Sequence, residues 1–201
     1  LDKHGFADNT LVIFSSDNGP EVPTVLSMRQ DYKHDGARPW RGVKRDNWEG
    51  GHRVPFIARW PGKIKPGTRS SQTLSLTDLM ATFAAITNVK LPQEAGEDSV
   101  NMLPALIGGD EGKSIRKYTL HQTISLALAI RRGPWKYLDH KGSGGNNYDR
   151  AGRWGMKKYI VPEKEPEAPG QLYNLDTDPG ETNNLYFKRS EIVKELKNKL
   201  E

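Results

Sequence analysis

Two groups of residues in this chain have the types and the spacing for chemistry. The first is Asp17-Asn18-Gly19, which follows the apolar run at residues 10–14. A carboxylate beside an amide oxygen offers hard donors to a divalent cation such as Ca2+, and open α/β sheets collect ligands at the carboxyl ends of their strands. Asn-Gly is equally a hairpin signal. No alternating segment follows at Pro20-Glu21-Val22-Pro23, so the hairpin lacks a second arm and both readings stand. The second group is Arg41-Gly42-Val43-Lys44 with Glu49-Gly50-Gly51-His52-Arg53-Val54-Pro55. Glycines permit tight turns and close backbone approach, and a lysine delivered by such a loop holds an oxyanion as a point charge. Residues 21–60 carry eight basic and five acidic side chains, a weak fit to an anionic ligand. The plainer reading of those charges is a solvated loop.

The elements that must position these groups follow from patterning. Residues 10–14, with β-branched members, read as a short buried strand of the parallel kind. Residues 20–53 read as a long irregular loop, a length that points to function when it occurs inside a compact domain. Residues 54–60 read as a second strand closed by Pro61-Gly62. Thr77 is placed to cap a helix from Asp78 to about Asn88, with Leu79, Met80, Phe83, Ala84 and Ile86 on its apolar face. A short apolar helix at 102–107 stops at Gly108-Gly109. Beyond a soft boundary near residue 110 the pattern turns β-like at 118–123, 126–131, 135–138 and 171–175. Gly133-Pro134 marks a turn, so a meander is expected. Residues 139–159 read as a surface loop and 162–169 as an exposed extended segment. Ser190 opens an amphipathic helix bearing Ile192, Val193, Leu196 and Leu200.

Composition closes off several functions. The chain has 201 residues and no cysteine, which removes disulfides, thiolate metal sites and cysteine nucleophiles from these residues. The net charge of +5 comes entirely from residues 111–201, where basic and acidic side chains alternate. A nucleic-acid surface would instead be a dense basic stripe with stacking aromatics. The longest apolar-rich run, residues 124–130, falls far short of the ~20 residues that span a bilayer. The chain opens with Leu rather than Met and reads as part of a longer protein.

In their order along the chain these segments resemble the sulfatase family, the formylglycine-dependent sulfate-ester hydrolases of the alkaline-phosphatase-like superfamily. They look nearest to bacterial arylsulfatases and N-acetylgalactosamine-6-sulfatase-like members. The two groups above carry the resemblance together with Arg59-Trp60-Pro61-Gly62, Thr77-Asp78-Leu79-Met80-Ala81-Thr82, Arg132-Gly133-Pro134-Trp135-Lys136-Tyr137 and the run Leu172-Tyr173-Asn174-Leu175-Asp176-Thr177-Asp178-Pro179-Gly180-Glu181. The implied fold is α/β. Residues 1–110 would be the C-terminal part of the catalytic core, and 111–201 a small α+β subdomain of antiparallel sheet and C-terminal helix.

The resemblance also implies roles. Asp17 and Asn18 would be two ligands of one Ca2+, and Lys44 the lysine that contacts the sulfate. Gly19, Gly42, Glu49, Gly50, Gly51 and Arg53 would shape the loop. His34, Asp35, Trp40 and Arg41 are candidates for contact with a sulfated small molecule or sulfated carbohydrate. For His34 and Asp35 a solvated loop is the equal alternative, and Trp40 serves as well to anchor its loop. The family's nucleophile arises from a Cys or Ser in a Cys/Ser-x-Pro/Ala-x-Arg run, and this sequence has none. Formylglycine and the remaining Ca2+ ligands would lie in an N-terminal part of the same enzyme, leaving this portion inactive alone. A periplasmic or secreted location, with no nucleic-acid or membrane partner, is part of the same expectation. Two rivals remain. One is a phosphodiesterase or phosphonate hydrolase of the same superfamily, disfavoured because those place an Asp-His pair where this chain has Asp17-Asn18. The other is a non-catalytic module for anionic polysaccharide.

Overall fold

The computed structural model describes residues 1–109, 112–149 and 155–201. The chain divides into two compact units, one of Leu1–Ser16 with Pro55–Lys117 and one of Asp17–Val54 with Tyr118–Glu201. Residues 17–54 thus belong with the second unit, and the chain passes between the units more than once. No helix among the described residues is long and apolar enough to cross a membrane.

In the first unit β1 (Val12–Ser15) pairs antiparallel with β2 (Phe56–Arg59), Val12 opposite Arg59 and Ser15 opposite Phe56. This corrects the expectation of a buried parallel strand at 10–14. Val12 and Phe14 are exposed while Ile13 and Ser15 are half-buried. The run is apolar on both faces, yet within this chain only one face is packed. Helix α3 (Asp78–Thr87) starts where the sequence places it, with Thr77 before it and Asn88 at its end. Its capping is different. The Thr77 hydroxyl donates to Ser75 Oγ, 2.8 Å away. The buried Asp78 carboxylate instead accepts from the backbone N–H of Ser75 and Val100, 2.8 and 2.9 Å away, and pairs with Arg116. The expected apolar face is also corrected, since Met80 and Phe83 stay exposed and the buried helix positions are Asp78 and Thr82. Helix α4 (Leu103–Ile107) ends at Gly108, whose φ of 85° is the left-handed value glycine tolerates.

The second unit is built on an antiparallel meander of β3 (Thr119–Gln122), β4 (Leu128–Arg132), β5 (Trp135–Leu138) and β6 (Gln171–Asn174), in that order. Side chains alternate between its faces. Ile130, Tyr137 and Leu172 face the helix α5 (Ser190–Leu200) and pack on Val193 and Leu196. Ala129, Leu138 and Tyr173 face the other way and pack with Trp48. By the same alternation Lys136 shares the Leu138 side, so a fully buried lysine lies beneath the loop that carries Trp48. Ser190 proves to be the first helical residue of α5, with Arg189 at the cap position.

Residues 20–53 are not the irregular loop their composition suggests. They hold α1 (Val22–Tyr32) and the single-turn helix α2 (Glu49–His52). α1 buries Val22, Val25 and Leu26, an i, i+3, i+4 stripe too short to stand out. Its first N–H donates to Glu21 Oε1, 2.9 Å away, and Pro23 in the first turn costs no hydrogen bond. Of the expected surface loop at 139–159, residues 150–154 lie outside the described residues. The part before them, residues 139–149, is largely exposed as expected, with Ser143 buried. Residues 162–169 form no regular element and are exposed apart from half-buried Glu165 and buried Ala168, as composition indicates.

Candidate functional site

Four glycines build the loop that carries Lys44. Gly50 N–H donates to Arg41 O at 2.7 Å, Gly19 N–H to Gly51 O at 2.9 Å, and Lys44 N–H to Pro20 O at 3.0 Å. A Cβ on Gly19 would lie 1.9 Å from Gly50 O, one on Gly50 2.3 Å from Gly42 O, and one on Gly51 2.0 Å from Asp46 O. Only hydrogen fits at those three places. Gly42 adds a φ of +88°. This interlock sets the segment Asp17-Asn18-Gly19-Pro20 alongside the Lys44 turn, although 27 residues separate Asp17 from Lys44.

Asp46 ties the turn from inside. Its carboxylate accepts from Val43 N–H at 3.0 Å, from Asn146 Nδ2 at 2.8 Å and from the Tyr148 hydroxyl at 2.5 Å. Asn146 Nδ2 also donates to Lys44 O at 2.8 Å. Burial, and then the Asp46 charge, push the Tyr148 hydroxyl upward, so it remains a donor. The Lys44 side chain itself is about a third exposed, with Nζ 3.7 Å from Glu21 Oε2. Glu21 is occupied chiefly by Arg45, whose hydrogen bond holds that carboxyl low. Lys44 is thus anchored through its backbone, and its ammonium lies at ion-pair distance from Glu21.

Beneath the loop is a buried ionic centre. Lys136 Nζ lies 3.0 Å from Glu49 Oε1, 2.9 Å from His52 Nε2 and 3.3 Å from Glu181 Oε1. Glu49 Oε2 also meets Arg53 at 2.9 Å and Arg131 at 3.1 Å. Glu181 Oε2 accepts the Glu49 backbone N–H at 2.7 Å, fixing the start of α2. Burial opposes the charge of Glu49, but Lys136, Arg131 and Arg53 outweigh it and bring its pKa to about 2. Burial, then Lys136, hold His52 well below the ordinary histidine range, so its ring stays neutral and accepts from the ammonium. The ring stacks on His121 with centroids 3.6 Å apart.

Glu181 behaves oppositely. Burial raises its pKa to about 7, against the pull of Lys136. Between pH 4.5 and 7 the folded chain therefore binds this proton more tightly than the unfolded chain. The resulting stability is complete below pH 4.5 and is lost as the pH rises to about 7. Replacing Glu181 by Gln should remove a fall of up to about 3 kcal/mol across that window. Urea unfolding of both chains at several pH values checks it, and parallel stability curves would refute it.

The candidates for substrate contact are placed differently from one another. His34 is exposed just past α1. Asp35 braces its own loop, accepting from Arg29 Nε at 2.6 Å and Ala37 N–H at 3.0 Å. Trp40 carries the Arg53 guanidinium over its ring at 3.7 Å. Arg41 lies over Trp48 at 3.6 Å and donates to Tyr173 Oη, Glu181 O and Val161 O. Asp35, Trp40 and Arg41 also line a cavity of about 1000 Å3 within this unit. Asp17 is exposed and Asn18 half-buried. Among the described residues no three His, Asp or Glu gather as a metal site. The Asp17-Asn18 donors suit Ca2+ in kind, as hard oxygens, and supply two side chains toward the 6–8 oxygens it takes.

Sequence reasoning missed Lys136, Glu181, Asp46 and Asn146 as parts of this site. Lys136 alone left a signal, a charge at the inward position two before Leu138 in a short apolar strand.

Residues 1–89 match the family model described as Sulfatase. The chain is 35% identical, over its whole length and 37% of the relative, to the N-acetylgalactosamine-6-O-sulfatase of Bacteroides thetaiotaomicron. It is 34% identical to arylsulfatase A of Bos taurus, over 95% of this chain and 36% of that one. A solved 6S-sulfatase, described with the metabolism of multiple glycosaminoglycans by Bacteroides thetaiotaomicron, matches at a TM-score of 0.80 and 33% identity, over 100% of this chain and 40% of that one. The structure of Ps i-CgsB in complex with k-i-k-neocarrahexaose matches at 0.71 and 27%, over 99% and 37%. The chain thus spans little more than a third of the curated relatives it matches.

Proposed function

Since this chain belongs to the sulfatase family and has its alkaline-phosphatase-like α/β fold, we propose that it is the C-terminal portion of an enzyme hydrolysing sulfate esters of carbohydrates. The observation that carries this reading is the interlock of Gly19 with Gly51 and of Pro20 with Lys44, which sets a pair of hard oxygen donors beside a basic loop. In this reading Asp17 and Asn18 hold part of the shell of one Ca2+, which when bound polarises the sulfate oxygens. The formylglycine nucleophile and the other ligands come from outside these 201 residues, and the chain alone is inactive, having no cysteine and no Ser-x-Pro/Ala-x-Arg run. The names of relatives support a sulfated sugar as substrate, and a periplasmic or secreted location goes with it.

Lys44 has the chemical task. As the sulfur–oxygen bond breaks, negative charge moves onto the ester oxygen. An ammonium held by a rigid turn stabilises that charge most when it is largest, in the transition state. In the complete enzyme Lys44→Ala should lower kcat/KM for a sugar sulfate by about 10²–10³, the usual cost of removing one such donor. A nitrophenyl sulfate, whose leaving group needs less help, should lose less. Asp17→Ala should lower metal content as well as rate. An unchanged kcat/KM on both substrates in the Lys44 variant would remove Lys44 from the site.

A further inference from the structure

The buried Asn47, at the end of the Lys44 turn, has one orientation open to its side chain. Its Nδ2 donates to Ala127 O at 3.0 Å and meets His140 Nε2 at 2.9 Å. Turned over, the amide would set its oxygen against the Ala127 carbonyl, two acceptors with no proton between them. Both amide hydrogens are therefore engaged, one by Ala127 and one by the ring. An amide nitrogen donates and does not accept, so His140 Nε2 must carry its lone pair. The ring proton then sits on Nδ1, which donates to Lys141 O at 3.0 Å.

The ring stands at the root of a loop that grips the turn at each residue from 44 to 47. Asn47 N–H donates to Ser143 O at 2.8 Å, and Asn146 Nδ2 donates to Lys44 O and Asp46 Oδ1, each at 2.8 Å. A Cβ on Gly145 would lie 1.9 Å from Arg45 O, and one on Gly144 2.8 Å from His140 Nε2. The loop thus closes on both turn and ring with only hydrogen between. The charged residues around His140 are Asp139 and Lys141 beside it, Lys136 in β5, and Arg45 and Asp46 on the turn. From β6 the uncharged Gln171 donates to His140 O at 2.9 Å. Burial, aided by Lys136, holds the ring below the ordinary histidine range against the Lys141 carbonyl and Asp139. A protonated ring would turn an N–H toward the Asn47 amide hydrogens, and neither side could accept.

We propose that His140 is a positioning residue for Lys44: its neutral ring fixes Asn47 and keeps the 44–47 turn gripped, and protonation of the ring releases that grip. The effect on rate rests on the sulfatase reading of Lys44, whereas the grip itself does not. The grip is complete above pH 6.5 and is lost as the pH falls through the lower value of the folded chain.

Magnetic resonance of the chain tests the grip. At pH 8 the nitrogen signals of the His140 ring should place its proton on Nδ1. As the pH falls, the backbone amide signals of Lys44, Asn47 and Asn146 should move with the ring's own midpoint, below 6.5. His140→Gln offers an oxygen that accepts from Asn47 without titrating, so in that variant the three signals should stay in place. A proton on Nε2, or amides that ignore the titration of the ring, would overturn the proposal. Kinetics of the complete enzyme at pH 8 show where the effect acts. His140→Ala should lower kcat and kcat/KM together by about tenfold or more, since an ångström of misplacement costs up to about 10²-fold. His140→Gln should restore most of that rate. In a Lys44→Ala background, His140→Ala should cost little more, and an equal loss in both backgrounds overturns positioning through Lys44. An inert Lys44→Ala would overturn the link to rate alone, because the spectra judge the grip.

Discussion

Replacing Lys136 by Met should destabilise the second unit by about 3–5 kcal/mol, the cost of breaking a buried charge cluster by removing one partner. Lys136 has no solvent exposure, and its ammonium is surrounded by Glu49, Glu181 and His52. Met fills nearly the same volume, so lost packing contributes little. The partners are left unequal. Glu49 keeps Arg53 and Arg131, whereas Glu181, among the described residues, keeps only the Glu49 N–H and must take up a proton or remain a buried anion. The loss should therefore be greater at pH 8 than at pH 5. Adding Glu181→Gln to Lys136→Met removes the orphaned charge and should recover part of the stability, a coupling that a double-mutant cycle measures. A loss below about 1 kcal/mol at pH 8, within the range of ordinary surface changes, would mean that the cluster does not hold α2 in place.

The same cluster explains where sequence reading succeeded and where it stopped. The β3–β6 meander and α5 were legible because their signals are local. Alternation over four or five residues, the Gly133-Pro134 turn and the stripe of Val193 and Leu196 need no knowledge of the rest of the chain. The ionic centre joins Lys136 to Glu49 across 87 positions and Glu181 to Glu49 across 132. No periodicity encodes such a pairing. A buried lysine in β5 and an acid in the 176–181 turn each look like solvated charges until the fold brings them together. Strand β1 was misread for a related reason. Its apolar run specifies what both faces can tolerate, while pairing direction is decided by Phe56–Arg59, more than forty residues away. The loop motif was legible as glycine chemistry, but the reason for each glycine was not. Gly19 is required by Gly50, and Gly51 by Asp46.

That last contact carries the other large expected effect. A methyl group on Gly51 would stand 2.0 Å from Asp46 O and 2.9 Å from Val43 O, both backbone atoms that no rotamer change can move. Asp46 cannot yield cheaply, since its carboxylate is held by Val43, Asn146 and Tyr148. Gly51→Ala must therefore open the turn, break the Gly19 N–H to Gly51 O bond and release Asp17-Asn18 from Lys44. Overpacking typically costs about 1–3 kcal/mol and more where backbone must move, so a loss of at least about 3 kcal/mol is expected. In the complete enzyme activity should vanish with it. Gly62→Ala is the matched control. Its φ of +73° carries strain, but nothing lies within 4 Å of its Cβ, so about 1–2 kcal/mol is the whole expected cost. Hydrogen exchange distinguishes the two variants in the chain itself. The Gly19 and Lys44 amides should lose protection in Gly51→Ala and keep it in Gly62→Ala. If both amides stay protected in Gly51→Ala and the urea midpoint is unchanged, the interlock is not what sets Asp17 and Asn18 beside Lys44.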